Sequence, residues 1–244
     1  AGDDDLICEN DSITPDDANA ENTTSIIWTS SGDGTFENAN SITPTYFPGD
    51  QDIQNGQFYL ILSGESENCS SSQDSSLVTI QNEPVADAGS DTARCVTDGT
   101  QPQFQLNGEV ENSTFYIWST GGDGSFSDEN ALNPTYSFGP MDIQNKEVTL
   151  TLTANALSPC PEPDEDEVEL SFAYRPSVDA GDDDNICEGD TIPLNATATN
   201  VGTLIWQRIP NDGSGGTFDD ATNLDAVYSP SQTDYENGEI QLML

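Results

Sequence analysis
The chain repeats itself. Ala1-Gly2-Asp3-Asp4-Asp5 opens it, and Ala88-Gly89-Ser90-Asp91 and Ala180-Gly181-Asp182-Asp183-Asp184 return after successive periods of about 90 residues. A cysteine stands at the same offset after each opening: Cys8, Cys95 and Cys187. Each is followed by Trp28, Trp118 or Trp206 and by a Gly/Asp turn that ends in Phe36, Phe126 or Phe218. A fixed period of this length makes each copy a small domain, and it changes the functional question from where an active site lies to what a row of units is for. Glu83-Pro84 and Arg175-Pro176 mark the junctions. They divide the chain into repeat 1 (1–84), repeat 2 (85–176) and repeat 3 (177–244), the third lacking its last strand.

Within a copy, apolar residues fall on every second position. Phe58, Leu60 and Leu62 correspond to Val148, Leu150 and Leu152 and to Ile240, Leu242 and Leu244. That alternation marks a strand with one face in a core. Val78 and Ile80, and Val168, Leu170 and Phe172, define a last strand in the same way. An earlier strand is visible at Phe104 and Leu106 and at Ile192 and Leu194, whereas repeat 1 keeps Ile13 but continues Thr14-Pro15, which predicts a short or bulged strand. No segment shows sustained helical periodicity. Short strands separated by Gly, Pro, Asn and Asp predict an all-β fold of tandem immunoglobulin-like β-sandwich domains with core tryptophans. The short junctions, free of Gly/Ser tracts, predict a semi-rigid array.

Two cysteines per copy, similarly spaced, read as one disulfide per repeat: Cys8–Cys69 and Cys95–Cys160, with the partner of Cys187 beyond Leu244. Buried free thiols are the alternative. Disulfides imply an oxidising compartment. The net charge is −41, with four Lys+Arg against 45 Asp+Glu. Nucleic acid is excluded as a partner, because phosphate binding needs clustered cations, and no run is apolar or long enough for direct membrane insertion.

Without a histidine, the abundant serines have no base to activate them. The chain reads as no enzyme, and no catalytic residue is assigned. Clustered carboxylates suit calcium. Asp3 and Asp5 at the first opening, Asp87 and Asp91 at the first junction, and Asp179, Asp182 and Asp184 at the second are candidate ligands, against the alternative of a solvated acidic surface. Asp33, Asp123 and Asp212 sit beside glycines and read as turn residues. Asp52, Asp142 and Asp234 read as turn or capping residues before the penultimate strand. The acidic run from Pro161 to Glu167 reads as a solvated loop.

Pro84-Val85-Ala86-Asp87-Ala88-Gly89 and the Trp28…Gly32-Asp33-Gly34 stretch resemble PKD-type immunoglobulin-like (PKD-like) repeats. Leu6-Ile7-Cys8-Glu9-Asn10-Asp11 and Ile186-Cys187-Glu188-Gly189-Asp190 are more similar to the acidic, Cys-containing repeats of the giant SprB-like surface adhesins of gliding Bacteroidota, from which Arg94-Cys95-Val96 departs. That resemblance implies type IX secretion and display on the cell surface as an extracellular filament. Its partners would be neighbouring repeats of the same chain, other surface filament proteins or a polysaccharide substratum. Asp11-Ser12-Ile13, Asp91-Thr92-Ala93 and Asp190-Thr191-Ile192 resemble an O-glycosylation sequon of that phylum, which makes Ser12, Thr92 and Thr191 candidate glycan sites. The expected function is a spacer in a cell-surface adhesin. The alternative is an accessory carbohydrate-binding module of a secreted polysaccharide-degrading enzyme, for which Tyr59, Phe115 and Tyr235 would be the aromatic platforms.

Overall fold
A computed structural model describes residues 1–67 and 69–244. Repeat 1 contains β1 (Asp5–Cys8), β2 (Ser25–Ser30), β3 (Thr35–Glu37), β4 (Thr45–Phe47), α1 (Asp50–Asn55), β5 (Gln57–Glu65) and β6 (Ser72–Gln81). Repeat 2 contains β7 (Val85–Asp87), β8 (Thr92–Val96), β9 (Gln103–Gln105), β10 (Glu109–Glu111), β11 (Tyr116–Thr120), β12 (Ser125–Phe126), β13 (Thr135–Ser137), α2 (Pro140–Asn145), β14 (Glu147–Ala154) and β15 (Asp164–Tyr174). Repeat 3 contains β16 (Ser177–Asp179), β17 (Ile192–Pro193), β18 (Thr197–Thr199), β19 (Gln207–Ile209), β20 (Thr217–Phe218), β21 (Val227–Ser229), α3 (Gln232–Asn237) and β22 (Gln241–Met243).

The larger sheet of repeat 1 runs β1-β6-β5-β2, with β1 parallel to β6 and the other pairs antiparallel. The hairpin β3–β4 forms the opposite layer. Ile13 joins that layer through a single bridge to Tyr46, because Pro15 has no N–H with which to extend the ladder. Repeat 2 builds the same arrangement more fully, as sheets β11-β14-β15-β8 and β12-β13-β9 with β7 paired to β10. In repeat 3, β21 pairs with β17 and β20, and β19 pairs with β22.

The alternation read from the sequence is the alternation of burial. Phe58, Leu60 and Leu62 point inward from β5, and Val148, Leu150 and Leu152 do so from β14. Trp28, Trp118 and Trp206 are buried. The indole N–H of Trp28 donates to Ser41 O (3.1 Å) and that of Trp118 to Leu132 O (3.2 Å). In repeat 3 the indole nitrogen of Trp206 is buried without a partner among the described residues. The core there is smaller, formed by Trp206, Ala196 and Ala226 with Leu194, Phe218 and Leu242 packed around them.

Three short helices are present where the sequence shows no helical period. Each has six residues, too few for a period of 3.6 to register. Contacts group the chain into two compact units: Ala1–Ala93 with Gln101–Ser171, and Arg94–Thr100 with Phe172–Leu244.

Candidate functional site
A buried carboxylate recurs in every repeat, on the third residue of each helix: Asp52, Asp142 and Asp234. Asp52 is 1% exposed, Asp142 2% and Asp234 3%. Burial of an ionised carboxylate is costly unless hydrogen bonds replace its water. Here they do. Asp52 Oδ2 accepts from Tyr46 OH (2.8 Å), Gly49 N (3.1 Å) and Gly34 N (3.2 Å). Asp142 Oδ2 accepts from Tyr136 OH (2.8 Å), Gly124 N (3.0 Å) and Gly139 N (3.1 Å). Asp234 Oδ2 accepts from Tyr228 OH (2.9 Å), Gly216 N (2.8 Å) and Ser231 N (2.8 Å). One side chain therefore ties the Gly/Asp turn, the following strand and the helix start into one knot. The capping role expected of these aspartates is present, but it is a small part of what they do.

The glycines of the turn allow this close approach. A Cβ placed on Gly34 would lie 2.2 Å from Phe47 O and 2.6 Å from the Tyr46 hydroxyl oxygen. Asp33 and Asp123 face the helix start from the same turn. Asp33 accepts from Gln51 N and Asp52 N, both at 3.3 Å, and Asp123 Oδ1 from Met141 N (3.0 Å) and Asp142 N (3.2 Å). They are thus more than turn residues; each caps a helix from a distance.

Repeat 3 solves the same problem differently. Arg208, two positions after the core tryptophan, stands where repeats 1 and 2 have Ser30 and Thr120. Those hydroxyls meet Tyr46 OH at 2.9 Å and Tyr136 OH at 2.8 Å. Arg208 Nε instead donates to Asp234 Oδ1 at 2.6 Å, and its Nη1 lies 3.4 Å from Asp212. Asp212 is turned toward Ser214 (Oγ to Oδ1 2.6 Å) and Arg208. The helix cap passes to Ser231, whose Oγ accepts from Asp234 N (3.3 Å). Burial works against the charge on Asp234, but the Ser231 and Gly216 amides, the Tyr228 hydroxyl and Arg208 outweigh it and hold the carboxyl at about 2. Tyr46, Tyr136 and Tyr228 are each pushed up to about 12, first by burial and then by the adjacent carboxylate.

The junction between repeats 1 and 2 is covalent. Cys8 is bonded to Cys160, with Cα atoms 4.9 Å apart across a sequence separation of 152. Cys69, Cys95 and Cys187 are exposed free thiols. This corrects the expected Cys8–Cys69 and Cys95–Cys160 pairs. Cys8 aligns with Gln81 at the end of β6, whereas Cys69 lies just before Ser72 at its start. A ten-residue strand spans about 30 Å, against a limit near 7 Å between bridged Cα atoms. With Cys160 bonded to Cys8, Cys95 has no partner within its own repeat. The Asn112 side chain, on a residue with φ of 54°, donates to Glu83 O at 2.9 Å across the same junction.

The candidate calcium ligands are all exposed, and those with contacts serve backbone amides one at a time. Asp87 Oδ1 accepts from Gly89 N (2.8 Å) and Asp179 Oδ1 from Gly181 N (2.9 Å), the same turn in two repeats. Asp91 Oδ1 accepts from Glu169 N (2.9 Å), as Asp4 does from Leu77 N (2.9 Å). Asp5 and Asp184 bond the amide of the next residue, and Asp3 donates its own N–H to Asp17. Asp182 is exposed. Among the described residues no three His, Cys, Asp or Glu side chains converge as a metal-binding group. The acidic run is not merely a solvated loop: Asp164 and Asp166 accept from Ala86 N and Ala88 N, both at 2.8 Å, and so fasten the entry of repeat 2 to its last strand. Ser12 and Thr191 are exposed and Thr92 is half-buried. Tyr59 and Phe115 are exposed, on repeats 1 and 2, while the Tyr235 hydroxyl is engaged by Gly189 N and Asp190 O.

No family model matches the chain, and no curated protein matches it. Solved structures do. The chain is similar to domains EC1-3 of mouse protocadherin-24, at 14% identity and TM-score 0.50, covering 99% of this chain and 89% of that one. It is similar to domains EC22-24 of mouse cadherin-23, at 14% identity and TM-score 0.50, covering 95% and 86%. A three-domain titin fragment, I67-I69, aligns with a TM-score of 0.47 at 10% identity, covering 95% and 87%. The two likenesses at TM-score 0.50 carry the fold, not an activity: the chain is a tandem of immunoglobulin-like, cadherin-like β-sandwich domains.

Proposed function
We propose that the chain is a stretch of spacer repeats in a secreted cell-surface adhesin or filament of the SprB-like kind, supporting gliding motility or surface attachment after type IX secretion. The observation that carries this reading is the covalent joint between successive sandwiches: Cys8 and Cys160 bind repeat 1 to repeat 2. Such a joint suits a chain that transmits load and sits in an oxidising, extracellular location. The charge of −41 adds mutual repulsion between neighbouring filaments, which keeps them dispersed. The test is surface labelling of intact cells with an antibody to these repeats, combined with in-frame deletion of the repeats from the parent gene. Labelling without permeabilisation and loss of adhesion or gliding on deletion are expected; label confined to permeabilised cells overturns the reading.

A further inference from the structure
We infer that the cysteines follow one wiring rule: the cysteine seven residues after each Ala-Gly opening bonds the loop cysteine of the repeat that follows it. Cys69, Cys95 and Cys187 are then halves of bonds to neighbouring repeats. Cys8 ends β1 and lies in register with Gln81, at the end where repeat 1 passes through Glu83-Pro84 into repeat 2. Cys160 lies in the loop between β14 and β15, at the end where repeat 2 is entered, because Asp164 and Asp166 just beyond it hold the amides of Ala86 and Ala88. The first position faces forward along the chain and the second faces back.

Both positions recur. Cys95 and Cys187 stand at the offset of Cys8 from the Ala-Gly opening, and Cys69 lies between β5 and β6 as Cys160 lies between β14 and β15. The second junction also repeats the surroundings of the first. Asn200, with φ of 57°, donates to Arg175 O at 3.3 Å, as Asn112 donates to Glu83 O, and to Asp98 Oδ2 at 3.3 Å. The segment Arg94–Thr100, which contains Cys95, belongs to the same compact unit as Phe172–Leu244. Cys95 is therefore placed with repeat 3, as Cys8 is with repeat 2. By the same rule Cys95 would pair with a loop cysteine of the third repeat, Cys69 with the opening cysteine of any repeat that precedes it, and Cys187 with the loop cysteine of any repeat that follows it.

Each bond forms by exchange with an oxidant disulfide, either a small-molecule disulfide such as oxidised glutathione or that of a dithiol oxidoreductase. One protein thiolate attacks the oxidant and releases a thiol, and the second protein thiolate then resolves the mixed disulfide and releases the other. Two protein thiols are oxidised, the oxidant disulfide is reduced to two thiols, and the two protons pass to them. Successive bonds overlap. The span from Cys8 to Cys160 and the span beginning at Cys95 share residues 95–160, so the junctions lie inside covalent loops. Under tension, the bond from Cys8 to Cys160 withholds a separation of 152 residues, roughly 500 Å of extension.

The wiring is tested by peptide mapping under non-reducing conditions, after thiol blocking, of the parent chain carried through a complete third repeat. Cys8–Cys160 and Cys95 joined to the third repeat's loop cysteine are expected. Cys8–Cys69, Cys95–Cys160 or an alkylatable Cys95 overturns the rule. In the 244-residue chain, Cys8→Ser should make Cys160 newly alkylatable and leave Cys69 labelling unchanged; new labelling at Cys69 is the opposite result. Where that variant fails to fold, single-molecule pulling of the unaltered chain decides. Reductant should lengthen the unfolded contour by ~500 Å, and equal contours with and without reductant refute the Cys8–Cys160 bond. A Cys95 that stays alkylatable beside an intact Cys8–Cys160 bond overturns the rule and leaves the spacer reading standing, because that reading rests on the first bond alone.

Discussion
Three aspartates do work for which their neighbours in sequence give little warning. Removing Asp142 strands a tyrosine hydroxyl and two backbone amides, all at least partly buried. Asp142→Ala should therefore destabilise its repeat by about 3–5 kcal/mol, and Tyr136→Phe by roughly 1–2 kcal/mol, both measurable by denaturant unfolding. The two titrations bound the stable range. Asp234 is held at about 2 when folded, against ~3.9 in an unfolded chain. Its contribution is complete above pH ~4 and is lost as pH falls toward 2, amounting to about 2–3 kcal/mol. The three tyrosines behave in the opposite sense. Their folded pKa of about 12 exceeds the unfolded value of ~10. Their contribution is complete below pH ~10 and vanishes as pH rises through 12. Absorbance near 295 nm, a tyrosinate band, should show three of the seven tyrosines ionising late or together with unfolding; seven ordinary titrations would contradict the knot. The signal for this site was in the sequence. Tyrosine precedes aspartate by 6 and glycine precedes it by 18 in all three repeats, even though the turn of repeat 3 is expanded upstream. What spacing alone could not give is burial, which separates a buried hub from a surface cap.

At the scale of elements, the strands were legible and the helices were not. Alternation over Phe58, Leu60 and Leu62 spans enough residues to declare its period. A helix of six residues declares itself only through its ends: Pro140 at the first turn of α2, and Gly56 and Gly238 at the ends of α1 and α3. Those two glycines adopt φ of 70° and 76°, and Lys146 occupies the equivalent place in repeat 2 at 65°. A side chain in the left-handed region costs energy that glycine does not incur. Lys146→Gly should accordingly raise the stability of repeat 2 by roughly 0.5–1 kcal/mol, read as a shift of the urea midpoint at constant slope. Repeat 3 shows elements exchanging duties. Asp33 and Asp123 cap their helices and require glycine at the N-cap, since a Cβ on Gly49 would sit 2.3 Å from Asp33 Oδ1. With Asp212 drawn to Arg208, that space accepts Ser231. One of only four cationic side chains in the chain, in a core strand beside Trp206, was the visible hint of that rearrangement.

For the molecule as a whole, charge and covalent wiring dominate. With a net charge of −41, self-repulsion opposes compactness. Added sodium chloride screens it, since the Debye length is about 10 Å at 0.1 M. The melting temperature should rise with salt from 10 mM to 0.3 M, and a flat profile would show the carboxylates too well separated to repel. Cys8→Ser should cost up to about 5 kcal/mol on the chain-entropy model for a closure of 152 residues, with repeats 1 and 2 then melting as separate transitions. The period told that cysteines pair; it could not tell with which copy, because the two cysteines keep their places in each copy whether a bond closes within a copy or reaches the next. Only the direction of β6, which carries its two ends far apart, separates the two choices.

The bond from Cys8 to Cys160 bears also on how such a chain ages outside the cell. A protease that nicks an exposed loop anywhere between those two residues makes a wound that does not sever: both fragments stay attached through sulfur. Cleaved and uncleaved molecules would migrate alike on a gel until a reducing agent is added, and only then fall into pieces.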